Sequence, residues 1–164
     1  MASTVVPPAK AATSDAVEIR RAAPRDFEIV IGLRRSLRRE ERPGEEPIDA
    51  QLRSMTRKQL NAAGQVIFLA EVADEAVGIL RCALQAPTEL VARTALLTTA
   101  YVDPAWRRRG IMTRLVDAAE GWCASHGVRD LRLRNAHDNA AANGAWEALG
   151  FRVVQVVRQR RTER

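Results

Sequence analysis

Apolar and polar positions along the chain switch repeatedly between a two-residue and a roughly 3.6-residue period, which predicts alternating strands and helices. Val17 to Ala22 (VEIRRA) alternates and predicts a first strand. Pro24, Asp26 and Glu28 follow as a helix-start signal, and Phe27, Val30, Ile31, Leu33 and Leu37 supply the apolar positions of a helix from about Arg25 to Arg39. Two prolines and a glycine make a loop of Glu40 to Pro47. A second helix is predicted from about Ile48 to Ala62, with Gly64 as its stop. Gln65 to Val72 (QVIFLAEV) and Ala76 to Leu84 (AVGILRCAL) read as an antiparallel pair around an Asp74-Glu75 turn.

After a loop with Pro87, Arg93 to Val102 (RTALLTTAYV) reads as a long strand closed by Asp103-Pro104. The loop Arg107 to Gly110 leads into a helix to about His126, whose Ile111, Leu115, Ala118, Ala119 and Trp122 recur at helical spacing. Val128 to Asn135 is a strand, Asn139 to Leu149 a short helix, and Phe151 to Val157 (FRVVQVV) a last strand. The order β-α-α-β-β-β-α-β-α-β mixes hairpins with βα units. It predicts an α/β fold, one mixed and mostly antiparallel twisted sheet flanked by helices. There is no internal repeat. The expected organisation is a tail at 1–15, one domain at 16–158 and a basic tail at 159–164.

Composition narrows the class. The 164 residues are 46% hydrophobic and 28% charged, which suits one soluble domain with a real core. No apolar run nears the ~20 residues of a membrane span. The segment Met1 to Ser14 has no apolar stretch of the kind a secretory signal needs. Cys82 and Cys123 are far apart in sequence with no metal-ligand spacing, so buried thiols in a reducing cytoplasm are expected and no metal site. The net charge is +6, and only Lys10 and Lys58 among the 26 basic residues are lysines. Arginine and alanine both have GC-rich codons, so gene composition suffices to explain that bias. With 4% aromatics there is no base-stacking platform, and nucleic acid is not an expected partner.

One segment carries chemistry. In Ala100 to Leu115 (AYVDPAWRRRGIMTRL) a strand ends, a loop holds three arginines and a glycine, and a helix begins. The first N–H groups of a helix have no intrahelical partner, and the helix dipole adds positive potential there. Such a turn holds a diphosphate well. Gly110 permits a positive φ or a close backbone approach. An ordinary strand–helix turn with solvated arginines is the bland alternative.

Here the sequence resembles the GCN5-related N-acetyltransferase (GNAT) family, whose signature is Arg/Gln-x-x-Gly-x-Gly/Ala after a strand. The chain has Arg107-Arg108-Arg109-Gly110-Ile111-Met112. A second block, Asn139 to Phe151 (NAAANGAWEALGF), looks like the family's Asn-x-x-Ala-x-x-x-Tyr-Glu-x-x-Gly-Phe. The resemblance covers roughly Leu96 to Val154. It implies acetyl-CoA as donor, with Arg107, Arg108, Arg109, Gly110, Ile111, Met112 and Thr113 around the pyrophosphate. It further implies that the strand at Ala100, Tyr101 and Val102 splays from the strand at Leu131 to Arg134, leaving a gap for pantetheine. Asn139 would bond that arm, with Ala142 and Trp146 beside it. A backbone N–H between Thr99 and Val102 would polarise the thioester carbonyl.

Two departures bear on catalysis. Trp146 stands where relatives often have a tyrosine acid, and indole supplies no labile proton. Leu96 lies near the position of the glutamate base of many relatives, and Arg93 to Val102 contains no carboxylate. A primary ammonium must still lose a proton before attack. Tyr101, His137 and Asn135 are the remaining catalytic candidates, with Thr98 and Thr99 as further wall residues of a proton path. In the family the two early helices and their loop shape the acceptor site. Here that loop offers Glu40, Glu41, Glu45 and Glu46, which suits a small cationic or peptide amine unless neighbouring arginines neutralise it. The expected activity is N-acetylation of a primary amine by direct attack in a ternary complex. A catalytically silent acyl-CoA-binding module is the alternative. Relatives often form homodimers, which no residue here demonstrates.

Overall fold

In a computed structural model, residues 16–45, 48–89, 91–158 and 160 are described. Glu46 and the expected 1–15 tail lie outside these residues, as does most of the 159–164 tail. The elements are β1 (Val17–Arg21), α1 (Phe27–Glu41), α2 (Asp49–Asn61), β2 (Gln65–Val72), β3 (Glu75–Gln85), β4 (Thr94–Val102), α3 (Ile111–Ser125), β5 (Leu131–Leu133) and α4 (Ala140–Ala148). Single 3-10 turns at Pro24–Asp26 and Pro104–Trp106 precede α1 and the α3 loop.

The sheet runs β1-β2-β3-β4-β5, antiparallel except for the parallel β4–β5 pair. This is the mixed, mostly antiparallel sheet that the periodicity predicts. Alternation along the strands sends one set of side chains to α3 and the other to α1 and α2. On the α3 side, Phe68, Leu80, Leu97, Leu115 and Trp122 belong to one buried apolar cluster. On the α1 side, Val30, Ile67, Leu69, Ile79 and Tyr101 form a smaller one. Cys82 and Cys123 meet in the first cluster with sulfurs 3.5 Å apart, both as free thiols. Burial pushes both thiols upward in pKa, so they sit there as small apolar groups.

The expected strand Phe151 to Val157 is not formed. Gly150, at φ +85°, stops α4, and Phe151 packs its ring edge-on against Trp146 at 5.5 Å between centroids. Beyond it the chain is irregular, with Val153, Val154, Val156 and Val157 all exposed. The reason lies in the pattern. Adjacent valine pairs put apolar groups on both faces of a strand, which needs cover on both sides. β-Propensity alone forms no strand without such packing. The strand expected at Val128 to Asn135 also shrinks to Leu131–Leu133. Val128 is buried behind the end of α3, and the pairing with β4 ends at Leu133.

Candidate active site

Two backbone irregularities build the site. The first is the turn into α3. Arg108 has φ +62° and Gly110 has φ +72°, and α3 starts at Ile111 with no side-chain cap and no acidic residue in its first turn. The first backbone bond of the helix is from the Arg114 N–H to the Gly110 carbonyl, 3.1 Å. The amides of Ile111, Met112 and Thr113 therefore stand before any intrahelical acceptor and suit an anion. A Cβ built on Gly110 would meet nothing within 4 Å. The glycine is required by its left-handed φ, not by crowding.

The second irregularity is in β4. Ile79 faces Tyr101 and Arg81 faces Thr98, so Leu80 opposes both Thr99 and Ala100. This is a bulge, and Thr99 carries it at φ +52°. On its other edge β4 pairs with β5 only at Ala95–Leu131, Leu96–Arg132 and Leu97–Leu133. From Thr98 onward β4 has no paired residue on β5. The parting of the strands and the bulge thus occur at the same level, a short way below the α3 turn. A non-glycine residue held in the left-handed region marks a place where local strain is retained.

Side chains predicted for the site divide into three groups. Arg107 does not extend toward the helix turn: its Nε donates to the Val102 carbonyl (2.9 Å) and its Nη2 pairs with Glu40. It ties the end of β4 to the end of α1. Arg109 lies over the Trp106 ring at 4.7 Å. Met112 packs against the α3-side core. Trp146 packs there too, beside Phe151, as a wall residue.

Among the catalytic candidates, Tyr101 is buried in the α1-side cluster, and desolvation raises its pKa, with Asp103 adding to the effect. Burial thus favours its neutral phenol form. Asn135 and His137 are exposed in the segment between β5 and α4. Asn135 donates its side-chain amide to Asn143 Oδ1 (2.6 Å), and Asn143 donates to the His137 carbonyl (3.0 Å). Asn139 caps α4 by accepting from the Ala142 N–H (3.0 Å), which occupies its Oδ1. Ala142 is accordingly half-buried in the first turn of α4.

At the end of α1 and in the loop after it, where the resemblance implies an acceptor site, Glu45 is held by Arg38 (3.0 Å) and Arg42 (3.4 Å) and Glu40 by Arg107, while Glu41 is exposed. The two paired carboxylates are charge-compensated by this chain's own arginines.

Three features escaped the sequence. Asn143 links both ends of the β5–α4 segment, and its four-residue spacing from Asn139 was the available signal. The Thr99 bulge had no signal, because threonine favours ordinary strand geometry. Arg34 is buried between α1 and α2, with Nη1 on Thr56 Oγ1 (2.7 Å) and Nη2 on Gln59 Oε1 (2.6 Å). Its spacing from Val30 and Ile31 places it on the apolar stripe of α1, which the surrounding arginine run obscured.

Solved structures share this architecture. A predicted acetyltransferase from Clostridium acetobutylicum, solved with acetyl-CoA, superposes with a TM-score of 0.75 at 20% identity, covering 89% of this chain and 96% of that one. The aminoglycoside N-acetyltransferase AAC(6')-Iy in complex with CoA gives 0.76 at 22% identity, covering 96% and 99%. The aminoglycoside 6'-N-acetyltransferase AAC(6')-Ih from Acinetobacter baumannii gives 0.73 at 23%, covering 90% and 99%. At these identities the likeness shows the fold. No curated protein matches the chain in sequence. Residues 31–151, which include the α3 turn, the parted strands and the Asn139 block, match the acetyltransferase (GNAT) family, and the chain belongs to that family of acetyl-CoA-dependent enzymes.

Proposed function

We propose that the chain transfers an acetyl group from acetyl-CoA to a primary amine of a small molecule, by direct attack in a ternary complex. The observation that carries this is the uncapped first turn of α3 beside the parted edge of β4. The amides of Ile111, Met112 and Thr113 would receive the diphosphate, with Arg108 and Arg109 as nearby charge. The backbone of Ala100, Tyr101 and Val102 would pair with the pantetheine amides, as a strand pairs with an open edge. Asn139, Ala142 and Trp146 would border the same arm from α4. The bulge at Thr99 turns a backbone N–H away from the regular ladder, and that group is our candidate for polarising the thioester carbonyl.

No carboxylate base is needed for a slow reaction. A thiol has a pKa of about 8.5, so a thiolate leaves without an acid, and proximity supplies most of the acceleration. His137 would carry the proton of the amine outward, with Asn135 as a hydrogen-bonding neighbour on that path. Leu96 and Trp146 favour one second reading, an acyl-CoA-binding module without turnover, because neither side chain moves a proton.

The test has two measurements. Coenzyme A at about 100 times its Kd should stabilise the folded chain by roughly 2.7 kcal/mol. Acetyl-CoA should then release free thiol in the presence of some member of an amine panel. Binding without release across the panel selects the silent module. No stabilisation by coenzyme A overturns both.

A further inference from the structure

The layer between α1, α2 and the sheet holds two arginines, Arg34 and Arg81, that form no ion pair among the described residues. Arg34 is 6% exposed and donates only to neutral oxygens, those of Thr56 and Gln59. Its Nε is buried with no hydrogen-bond partner among the described residues. Arg81, half-buried on β3, donates to Gln65 Oε1 (2.8 and 2.5 Å) and to Thr98 Oγ1 (3.0 Å), again neutral acceptors. One turn along α1, Arg38 has a second buried Nε without a partner, and its Nη2 reaches Glu45 at the loop. Among the described residues no carboxylate forms an ion pair with Arg34 or Arg81. Other partly buried arginines contrast with them, since Arg20 is held by both Asp26 and Glu71.

Burying a guanidinium without an anion is expensive, and the two cations also oppose each other. Arg34 is pushed down to about 10, first by burial and then by Arg81. A fold tolerates such a cluster where something else supplies negative charge. The place is specific. Arg81 is bonded to Thr98, the first residue of β4 beyond its pairing with β5 and the neighbour of the Thr99 bulge. Leu96 and Thr98 are half-buried, so this stretch of β4 is not sealed by α1 and α2.

We propose that Arg81, backed by the charge of Arg34, binds an anionic group of the acceptor, so that the substrate is an amine carrying a carboxylate or a phosphate. The inference rests on the acetyltransferase reading and narrows its acceptor. It replaces the cationic amine that the glutamate loop suggested, whose Glu40 and Glu45 are already ion-paired. Guanidinium matches either anion by paired N–H donors, and it holds the group while the amine of the same molecule reaches the bulge.

The experiment uses the full chain loaded with coenzyme A and acceptor pairs that differ in one anionic group. Phenylalanine is set against phenethylamine, lysine against cadaverine, and phosphoethanolamine against ethanolamine. Calorimetric binding and thiol release from acetyl-CoA are measured for each pair. At least one anionic member is expected to bind at least tenfold more tightly than its partner. The phenylalanine and lysine pairs report a carboxylate, and the phosphoethanolamine pair a phosphate. Arg81→Gln should lose about tenfold or more for that member, a larger loss than for its partner lacking the anion, and leave coenzyme A affinity unchanged. Equal or better binding of the partners lacking the anion, in all three pairs, overturns the proposal, and so does an equal loss for both members in Arg81→Gln. If that variant does not fold, the wild-type pairs alone decide. Failure of coenzyme A to bind is a separate result, which removes the acetyltransferase reading itself.

Discussion

The two faces of the sheet solve different problems. The face under α3 is dry: seventeen buried residues of the described chain cluster there, from Val66 to Val128, all apolar or thiol. The face under α1 and α2 carries a smaller apolar cluster, Val30, Ile67, Leu69, Ile79 and Tyr101, and shares its layer with Arg34, Thr56 and Arg81. A dry face resists change because packing is dense and cavities stay open. A face with buried cations is held by hydrogen bonds whose net worth is small, near ~1 kcal/mol each. The difference teaches that the α3 side positions the turn at Gly110, while the α1 side keeps buried charge at a cost in stability.

The largest expected effect is therefore on the dry side. Leu115 is fully buried in α3, and Leu115→Ala should cost about 2–5 kcal/mol in chemical denaturation. A loss under 1 kcal/mol would mean that this face is as plastic as the other. Gly110→Ala comes next. Since a Cβ there touches nothing, the cost is that of a left-handed φ, about 1–2 kcal/mol, and it falls on the α3 turn. Coenzyme A affinity should fall with it, and calorimetry on the variant checks both effects together. Asn139→Ala should cost about 1 kcal/mol by removing the cap of α4.

Charge compensation supplies its own contrast. Arg20 lies at the edge between β1 and β2, with Asp26 at 2.8 and 2.9 Å and Glu71 at 2.6 and 2.8 Å. The hydrogen bonds from Arg20 hold the Asp26 carboxyl below its ordinary range. A carboxylate depressed in the folded state contributes stability that is complete above its unfolded pKa of about 3.9 and is lost as pH falls through the folded value. Denaturation midpoints should thus fall as the pH is lowered below about 3.9, and Asp26→Asn should flatten that dependence. An unchanged slope in the variant would assign the acid sensitivity to other carboxylates.

Much of this was legible in the sequence, and the exceptions share a cause. The strands from Val17 to Val102 and the helices α1 and α3 read correctly because each buries one face, so periodicity reports the burial, whereas α2 and α4 were legible chiefly from the glycines that stop them. Gly110 was legible because a glycine at a strand–helix junction has few other uses. FRVVQVV misled because strand propensity describes a residue's fit to a sheet and not whether a sheet is there to receive it. Thr99 was invisible because its φ is imposed by the bulge. Arg34 was hidden for the opposite reason. Its spacing was that of a core position, but its chemistry matched the solvated Arg35 and Arg39 beside it.

The smallest expected effect is the most telling for the comparison. Arg34 is nearly as buried as Leu115, yet Arg34→Met should change stability by no more than about 1 kcal/mol in either direction. Methionine has similar length and no charge to desolvate, so the variant gains the removed burial cost and the removed repulsion with Arg81. It loses two hydrogen bonds and leaves the Thr56 hydroxyl and the Gln59 carboxamide to find other partners. These contributions oppose each other and are of similar size. Breaking a compensated buried ion pair behaves differently, costing about 3–5 kcal/mol because a lone charge stays behind. A denaturation experiment on Arg34→Met thus separates the two cases. A near-zero change supports a cation kept without a counter-charge, whereas a loss above about 3 kcal/mol would show that Arg34 is as firmly bound into the fold as the leucines across the sheet.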